Sequence, residues 1–239
     1  MTAFRNVVFT AALAGLLAGL VLAVLQSFTT VPLILEAERY EILGVTDHDH
    51  AHGAEAGHAH DHAWAPEDGF ERGAFTLGAN IVAGIGLALV LVAVSEAFGG
   101  VASWRRGVLW GLAGFAAFTL APGLGLPPEL PGMPAADLGA RQAWWIFTVL
   151  ATGAGIALFA FRRSTVPALA GVALIAAPHL LGAPQPVSHE TAVPAELHRQ
   201  FVLAVMLSSL AFWLVLGAAA GALRGRFAGP QLAARNSLG

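Results

Sequence analysis

A chain of 239 residues that is 56% hydrophobic and only 11% charged cannot cover a water-soluble surface, since ordinary soluble domains are about a quarter charged. Its 12 basic residues are all arginine, spread along a chain of net charge −3, which leaves no basic run for a nucleic acid to hold. Cysteine is absent, which removes disulfides, thiolate metal sites and cysteine nucleophiles together.

The surplus apolar surface needs an apolar solvent. The expectation is an all-α polytopic membrane protein, one integral membrane domain over residues 1–239. A helix needs about 20 apolar residues to cross the hydrocarbon core. Six windows free of formal charge meet that length: 6–35, 73–95, 107–128, 142–161, 164–189 and 200–223. The first follows Arg5 as a signal peptide would, yet its apolar run continues to Leu35 without a small-residue cleavage site, so a retained helix is predicted. It carries Ala11, Gly15 and Gly19 at four-residue spacing, and the last window carries Gly217 and Gly221. Small residues so spaced let helix backbones approach closely.

The third window is the weakest. Pro122, Pro127 and Pro128 predict an early end, leaving a core near 107–121, because proline withdraws a helical donor and clashes with the preceding turn. In the fourth, Trp144 and Trp145 beside Arg141 read as interfacial belt residues. The fifth is interrupted near its end by Pro178, which would free the carbonyl of Leu174.

Loop charges orient these spans. With both termini inside, eight arginines (Arg5, Arg105, Arg106, Arg162, Arg163, Arg224, Arg226, Arg235) face the cytoplasm and four (Arg39, Arg72, Arg141, Arg199) face outward. That is the positive-inside bias, as expected of an inner-membrane protein with both termini cytoplasmic. A fainter pattern is an internal helical-hairpin repeat. Gly84, Gly86, Ala88 and Leu89 recur as Gly153, Gly155, Ala157 and Leu158, and Arg105-Arg106 with Leu112-Ala113-Gly114 recur as Arg162-Arg163 with Leu169-Ala170-Gly171. Chance among Ala, Gly and Leu explains this equally well; parallel repeats are also a common transporter design.

The chemistry concentrates in the outer loop 36–72. His48, His50, His52, His58, His60 and His62, six of the nine histidines, fall within fifteen residues, interspersed with Asp47, Asp49, Glu55 and Asp61. In an extended chain alternate residues project to one side about 7 Å apart, so neighbouring imidazoles can share an ion. Imidazole suits zinc, nickel, copper and cobalt, and the carboxylates add oxygen ligands. The plainer alternative is a solvated tract that binds metal incidentally. Since imidazole ligates only when unprotonated, histidine-led capture would fail on acidification through about pH 6.5, whereas carboxylate-led capture would persist.

Further candidate ligands ring the same face: Glu36 and Glu38 after the first span, His179 just after Pro178, and His189 and His198 with Glu190 and Glu196 in the last outer loop. Ionisable residues within a span are functional candidates by default; an interfacial histidine reaching for the headgroups is the alternative. Gln26, Asn80, Thr119 and Gln142 also fall in the outer halves, whereas the inner halves offer little beyond Ser95 and Glu96. No phosphate-binding loop, nucleophile elbow or paired-acid pattern occurs, so no enzyme is expected, and no tightly bound cofactor.

Four stretches in order carry a resemblance: Pro32–Glu38 with Tyr40-Glu41, Trp64–Arg72, Ala135–Gln142 before Trp144-Trp145, and Ala177–Pro184. Together they resemble the probable cobalt transporter subunit CbtA family through nearly the whole chain. The resemblance implies bacterial cobalt uptake linked to cobalamin synthesis, beside a small single-span CbtB-like subunit with a histidine motif. It also lends weight to His179 and Glu36. The family is usually drawn with five spans, and the proline-rich third window is where a count of six would differ. The expected function is capture of a divalent transition metal, cobalt first, from the extracytoplasmic side. Nickel or zinc transport by the same design is the nearest rival, and a membrane-bound metal sensor or buffer is the rival of another class. Membrane lipid and the metal ion are the other expected partners, and self-association is left open.

Overall fold

The computed structural model describes the backbone of residues 2–49, 66, 69–101, 103–162 and 164–236, and side chains over 4–41, 66, 69–101, 103–162 and 164–226. The regular elements among them are helices: α1 (Thr2–Phe28), α2 (Thr30–Asp49), α3 (Phe70–Ala97), α4 (Trp104–Gly125), α5 (Leu138–Phe161), α6 (Thr165–Leu181) and α7 (Ala195–Asn236). Five of them, α1, α3, α4, α5 and α7, are long and apolar enough to cross a membrane, and α6 is a shorter apolar helix. The chain is a multi-pass helical membrane protein of about six spans, as the charge spacing indicates.

Which span is short differs from the expectation. The third window forms the 22-residue α4, which runs past the expected end near 121 to Gly125, and the fifth forms only the 17 residues of α6. Pro122 fails to end α4 because the turn before it is widened. Ala116–Leu120 is a π turn, with the Ala121 N–H donating to the Ala116 carbonyl five residues back. A π turn shifts the hydrogen-bond pairing by one residue, which absorbs the donor and the space that proline denies. The helix then continues to Gly125.

The first window also divides. α1 ends at Phe28, and a single turn residue, Thr29, separates it from α2. Pro32 lies in the first turn of α2 and has no N–H to return to the end of α1. Leu33 and Ile34, expected in the first span, instead pack against Ala37, Leu130, Val193, Leu197 and Phe201. This cluster ties α2 to the 126–137 segment, the 182–194 segment and the start of α7. The expected loop 36–72 is therefore helical as far as Asp49, not extended from its outset.

Close backbone contact builds the core. α1 crosses α3 where Gly15 meets Gly84: a methyl on Gly84 would lie 2.6 Å from the Gly15 carbonyl oxygen, and one on Gly19 would lie 2.6 Å from the Asn80 carbonyl. α4 crosses α7 the same way, Gly107 against Gly217 and Gly111 against the Trp213 carbonyl. Around these crossings Ala11, Ala14, Ala18, Ala88, Leu91, Val92, Phe212, Trp213, Leu216 and Ala220 form one buried cluster. The small-residue spacings read in the first and last spans are these contacts.

The faint repeat does not extend to packing. Gly84 lies against α1, while its counterpart Gly153 has nothing within 4 Å. Gly86 has no neighbour within 4 Å, while its counterpart Gly155 meets Gly171 of α6. α5 and α6 make a close hairpin, whereas α3 and α4 barely touch and pair with α1 and α7 instead. The bundle thus has two ends. One carries α2 and the segments 126–137 and 182–194 (the loop end); the other carries Glu96, Phe98, Phe161 and Arg224 (the arginine end).

Candidate metal-binding face

The loop end positions its polar residues by local rules. Asp137 caps α5, its Oδ1 accepting from the Ala140 N–H at 2.8 Å, the usual work of a short acid before a helix. That cap starts α5 so that Arg141 pairs with Glu129 at 3.1 Å and Trp144 turns inward. Trp144 is buried, 8% exposed, and its indole N–H donates to the Pro178 carbonyl at 3.2 Å. The same carbonyl accepts the Gly182 N–H at 3.1 Å, closing α6. The belt reading therefore fails for Trp144. Trp144 is a buried clasp between α5 and α6, because a buried indole must place its N–H on an acceptor, and Trp145 is half-exposed, edge-on to Phe118.

His179 sits in the last turn of α6, with its ring edge-on to Trp144 at 6.0 Å between centroids. It is partly buried, and the clasp at Pro178 fixes the backbone that bears it. Glu36 is exposed on α2, and His189 is exposed in the 182–194 segment. Two other candidates are engaged within the chain. The His198 Nε2 lies 3.0 Å from the Pro128 carbonyl, which tethers α7 to the proline turn. Glu38 pairs with Arg72, its Oε1 2.6 Å from Nη2 and its Oε2 3.2 Å from Nη1. Glu196 is paired with Arg199 and Glu190 is exposed. His50, His52, His58, His60 and His62 lie outside the described residues, as does the side chain of His48. Among the described residues no three histidine or acidic side chains come together as a metal centre.

Three of the uncharged polar residues singled out in the sequence, Gln26, Asn80 and Thr119, have side-chain partners too. Asn80 Nδ2 donates to Gln26 Oε1 at 2.6 Å, joining α3 to α1, and Thr119 accepts from the Trp213 indole at 3.3 Å. Gln142 and Arg141 line a cavity of about 540 Å³ between α4, α5 and α7. At the arginine end Glu96 holds Arg224 at 2.5 Å, and Ser95 is fully buried with its hydroxyl on the Val92 carbonyl. The sequence reading missed Thr10 and Thr152, whose buried hydroxyls have no hydrogen-bond partner among the described residues. It also missed the Arg72–Glu38 pair. Opposite charges flanking the ends of two spans were its visible signal, but 34 residues separate them.

No curated protein and no solved structure matches the chain. A family model does: residues 4–225 match the model described as probable cobalt transporter subunit (CbtA). With a multi-pass helical bundle spanning that whole range, the chain belongs to the CbtA family of probable cobalt transporter subunits.

Proposed function

We propose that this protein captures a divalent transition metal, cobalt foremost, on the extracytoplasmic side of the bacterial inner membrane and passes it inward with a partner subunit. One observation supports this reading most. The histidine tract is attached at both ends, Asp49 of α2 and Pro66 ahead of α3, to the end of the bundle that also bears Glu36, Glu38, His179 and His189. Imidazoles and carboxylates of the tract gather the ion, and the fixed residues receive it. His179 is the receiving imidazole, held by the Trp144 clasp, and Glu36 supplies an exposed carboxylate on α2. His198, with its Nε2 against the Pro128 carbonyl, would have to give up that contact to ligate. A small single-span subunit of the CbtB type is the partner that the family suggests. Imidazole and carboxylate serve nickel and zinc equally well, so the choice of cobalt rests on the family description.

Accumulation of radioactive cobalt in cells with and without the chain, its partner present, tests the reading with nickel and zinc as competitors. The expected result is chain-dependent accumulation inside the cell; surface binding without accumulation would make the protein a buffer or sensor. Deleting residues 47–62 is expected to weaken uptake when metal is scarce and to spare it when metal is abundant, because a tethered collector raises local concentration without forming the path. Loss at every concentration would make the tract itself the central site.

A further inference from the structure

In the half of the bundle nearer the arginine end, α3, α4 and α5 enclose a cavity of about 450 Å³, and its lining has no side chain more polar than an indole. The residues explain the gap. α5 lines it with Gly153, Ala154 and Ala157, and α4 with Ala113, Gly114 and Ala117, side chains too short to reach across it. A space without polar partners stays dry, and an empty one forfeits the dispersion contacts of its walls. Within a bilayer the natural filler is hydrocarbon. The flank is open to it, with Val90 and Val94 of α3 each 45% exposed and Leu150 of α5 66%.

The cavity is as deep as one leaflet. Along α5 its lining runs from Val149 to Phe161, about 18 Å at the helical rise, against about 15 Å for half of the hydrocarbon core. Phe118, packed on Trp145 and Trp213 at 5.9 and 5.5 Å, ends it near mid-bundle. Phe98, Trp110 and Phe161 cluster at its other end. A spanning helix needs a face through the whole bilayer, whereas this slot stops halfway, at the depth of an acyl chain. Charge stands where a headgroup would come to rest. Arg106 shares one face of α4 with Trp110, Ala113 and Ala117, and Arg162 directly follows Phe161. Both arginines are exposed, and among the described residues neither forms an ion pair. The acid at this end, Glu96, is held by Arg224.

We propose that this cavity and these two arginines form a site for one anionic phospholipid, drawn from the leaflet that the arginine bias turns to the cytoplasm. Basic residues at the cytoplasmic edge of a groove between spanning helices recognise such headgroups. The phosphate rests beside Arg106 and Arg162, over the aromatic cluster, and one acyl chain enters from the open flank and fills the cavity. α3 and α5 otherwise meet chiefly at the Phe98–Phe161 stack. The lipid therefore supplies the packing between them, and its occupancy steadies the α5–α6 hairpin against the other helices.

The test titrates the full chain, purified in an uncharged detergent, with dioleoyl phosphatidylglycerol or the zwitterionic dioleoyl phosphatidylcholine, and counts retained lipid by native mass spectrometry. The parent is expected to hold one phosphatidylglycerol about tenfold more tightly than phosphatidylcholine, the scale set by arginines beside an anionic headgroup. The double variant Arg106→Gln/Arg162→Gln should lose that preference. Arg105→Gln, whose guanidinium lies over Trp104 at 5.5 Å, should keep it. Ala157→Phe, which fills the cavity from α5, should lose retention of both lipids; if it folds poorly, the exposed arginine variants still decide. Equal retention of the two lipids by the parent overturns the proposal, as does a preference that survives the loss of both arginines. A preference lost equally in Arg105→Gln would mean attraction to a positive face at large, and there would be no site. Retention unchanged in a folded Ala157→Phe chain would place the lipid elsewhere and sink the proposal too.

Discussion

The bundle holds itself together in two different ways. α1 with α3, and α4 with α7, cross at glycines where a neighbour's backbone oxygen occupies the place of a methyl group. α5 and α6 form a hairpin that reaches the remaining helices chiefly through α4. Between α3, α4 and α5 lies an apolar cavity of about 450 Å³, closed toward the arginine end by Phe98 stacked on Phe161 at 4.2 Å. In a membrane the driving force for helix association is packing, not exclusion of water. Interfaces without close backbone approach are therefore the weaker ones. The glycine-crossed helices are the frame, and the α5–α6 hairpin, which bears His179, is the part free to shift against it.

The largest effect should come from breaking the frame. Gly217→Leu drives a side chain into the Gly107 carbonyl, and since backbone cannot step aside the helices must part, at about 3 kcal/mol or more. Thermal unfolding in detergent should show a collapse of the folded yield. Survival near the parent's midpoint would mean that the crossing is not the frame. A smaller and local effect is expected from Trp144→Phe, which keeps an aromatic side chain but removes the indole N–H and its bond to the Pro178 carbonyl, a loss of about 1 kcal/mol or somewhat more for the smaller ring. Hydrogen exchange should quicken in α6 while α1 and α3 remain protected; uniform quickening would erase the distinction between hairpin and frame. The smallest change is Gly153→Ala, where nothing lies within 4 Å. Alanine's better helix propensity should leave stability within about 1 kcal/mol, on the stabilising side. A marked loss would show that α5 is packed against a partner at that face.

The spans were legible because charge is costly in hydrocarbon, so Arg5, Glu96, Arg105, Arg162 and Arg224 mark their ends in the sequence itself. The glycine spacing in the first and last spans was legible too, since few residues permit that approach. Which glycines are crossings was not: Gly84 and Gly153 look alike until the partner helix is known. Pro122 and Pro178 looked alike as well, and each helix runs three residues past its proline, to Gly125 and Leu181. Trp144 and Trp145 are adjacent, but a helix sends neighbours about 100° apart, so one is buried and the other faces outward. Of the candidate site, Glu36, Glu38, His179, His189 and His198 were identifiable by type, while the partners that occupy Glu38 and His198 come from distant chain and needed the fold.

The brevity of α6 has a consequence for the membrane itself. Its 17 residues span about 25 Å, against a hydrocarbon core of about 30 Å. Such hydrophobic mismatch is met by thinning of the adjacent lipid. Thinning beside α6 would draw the headgroup layer toward the helix, at the last turn that carries His179. Such a dip would bring water and lipid phosphates within reach of the imidazole. On the proposed function, metal delivery to His179 should then depend on the acyl chain length of the surrounding lipid as well as on the protein.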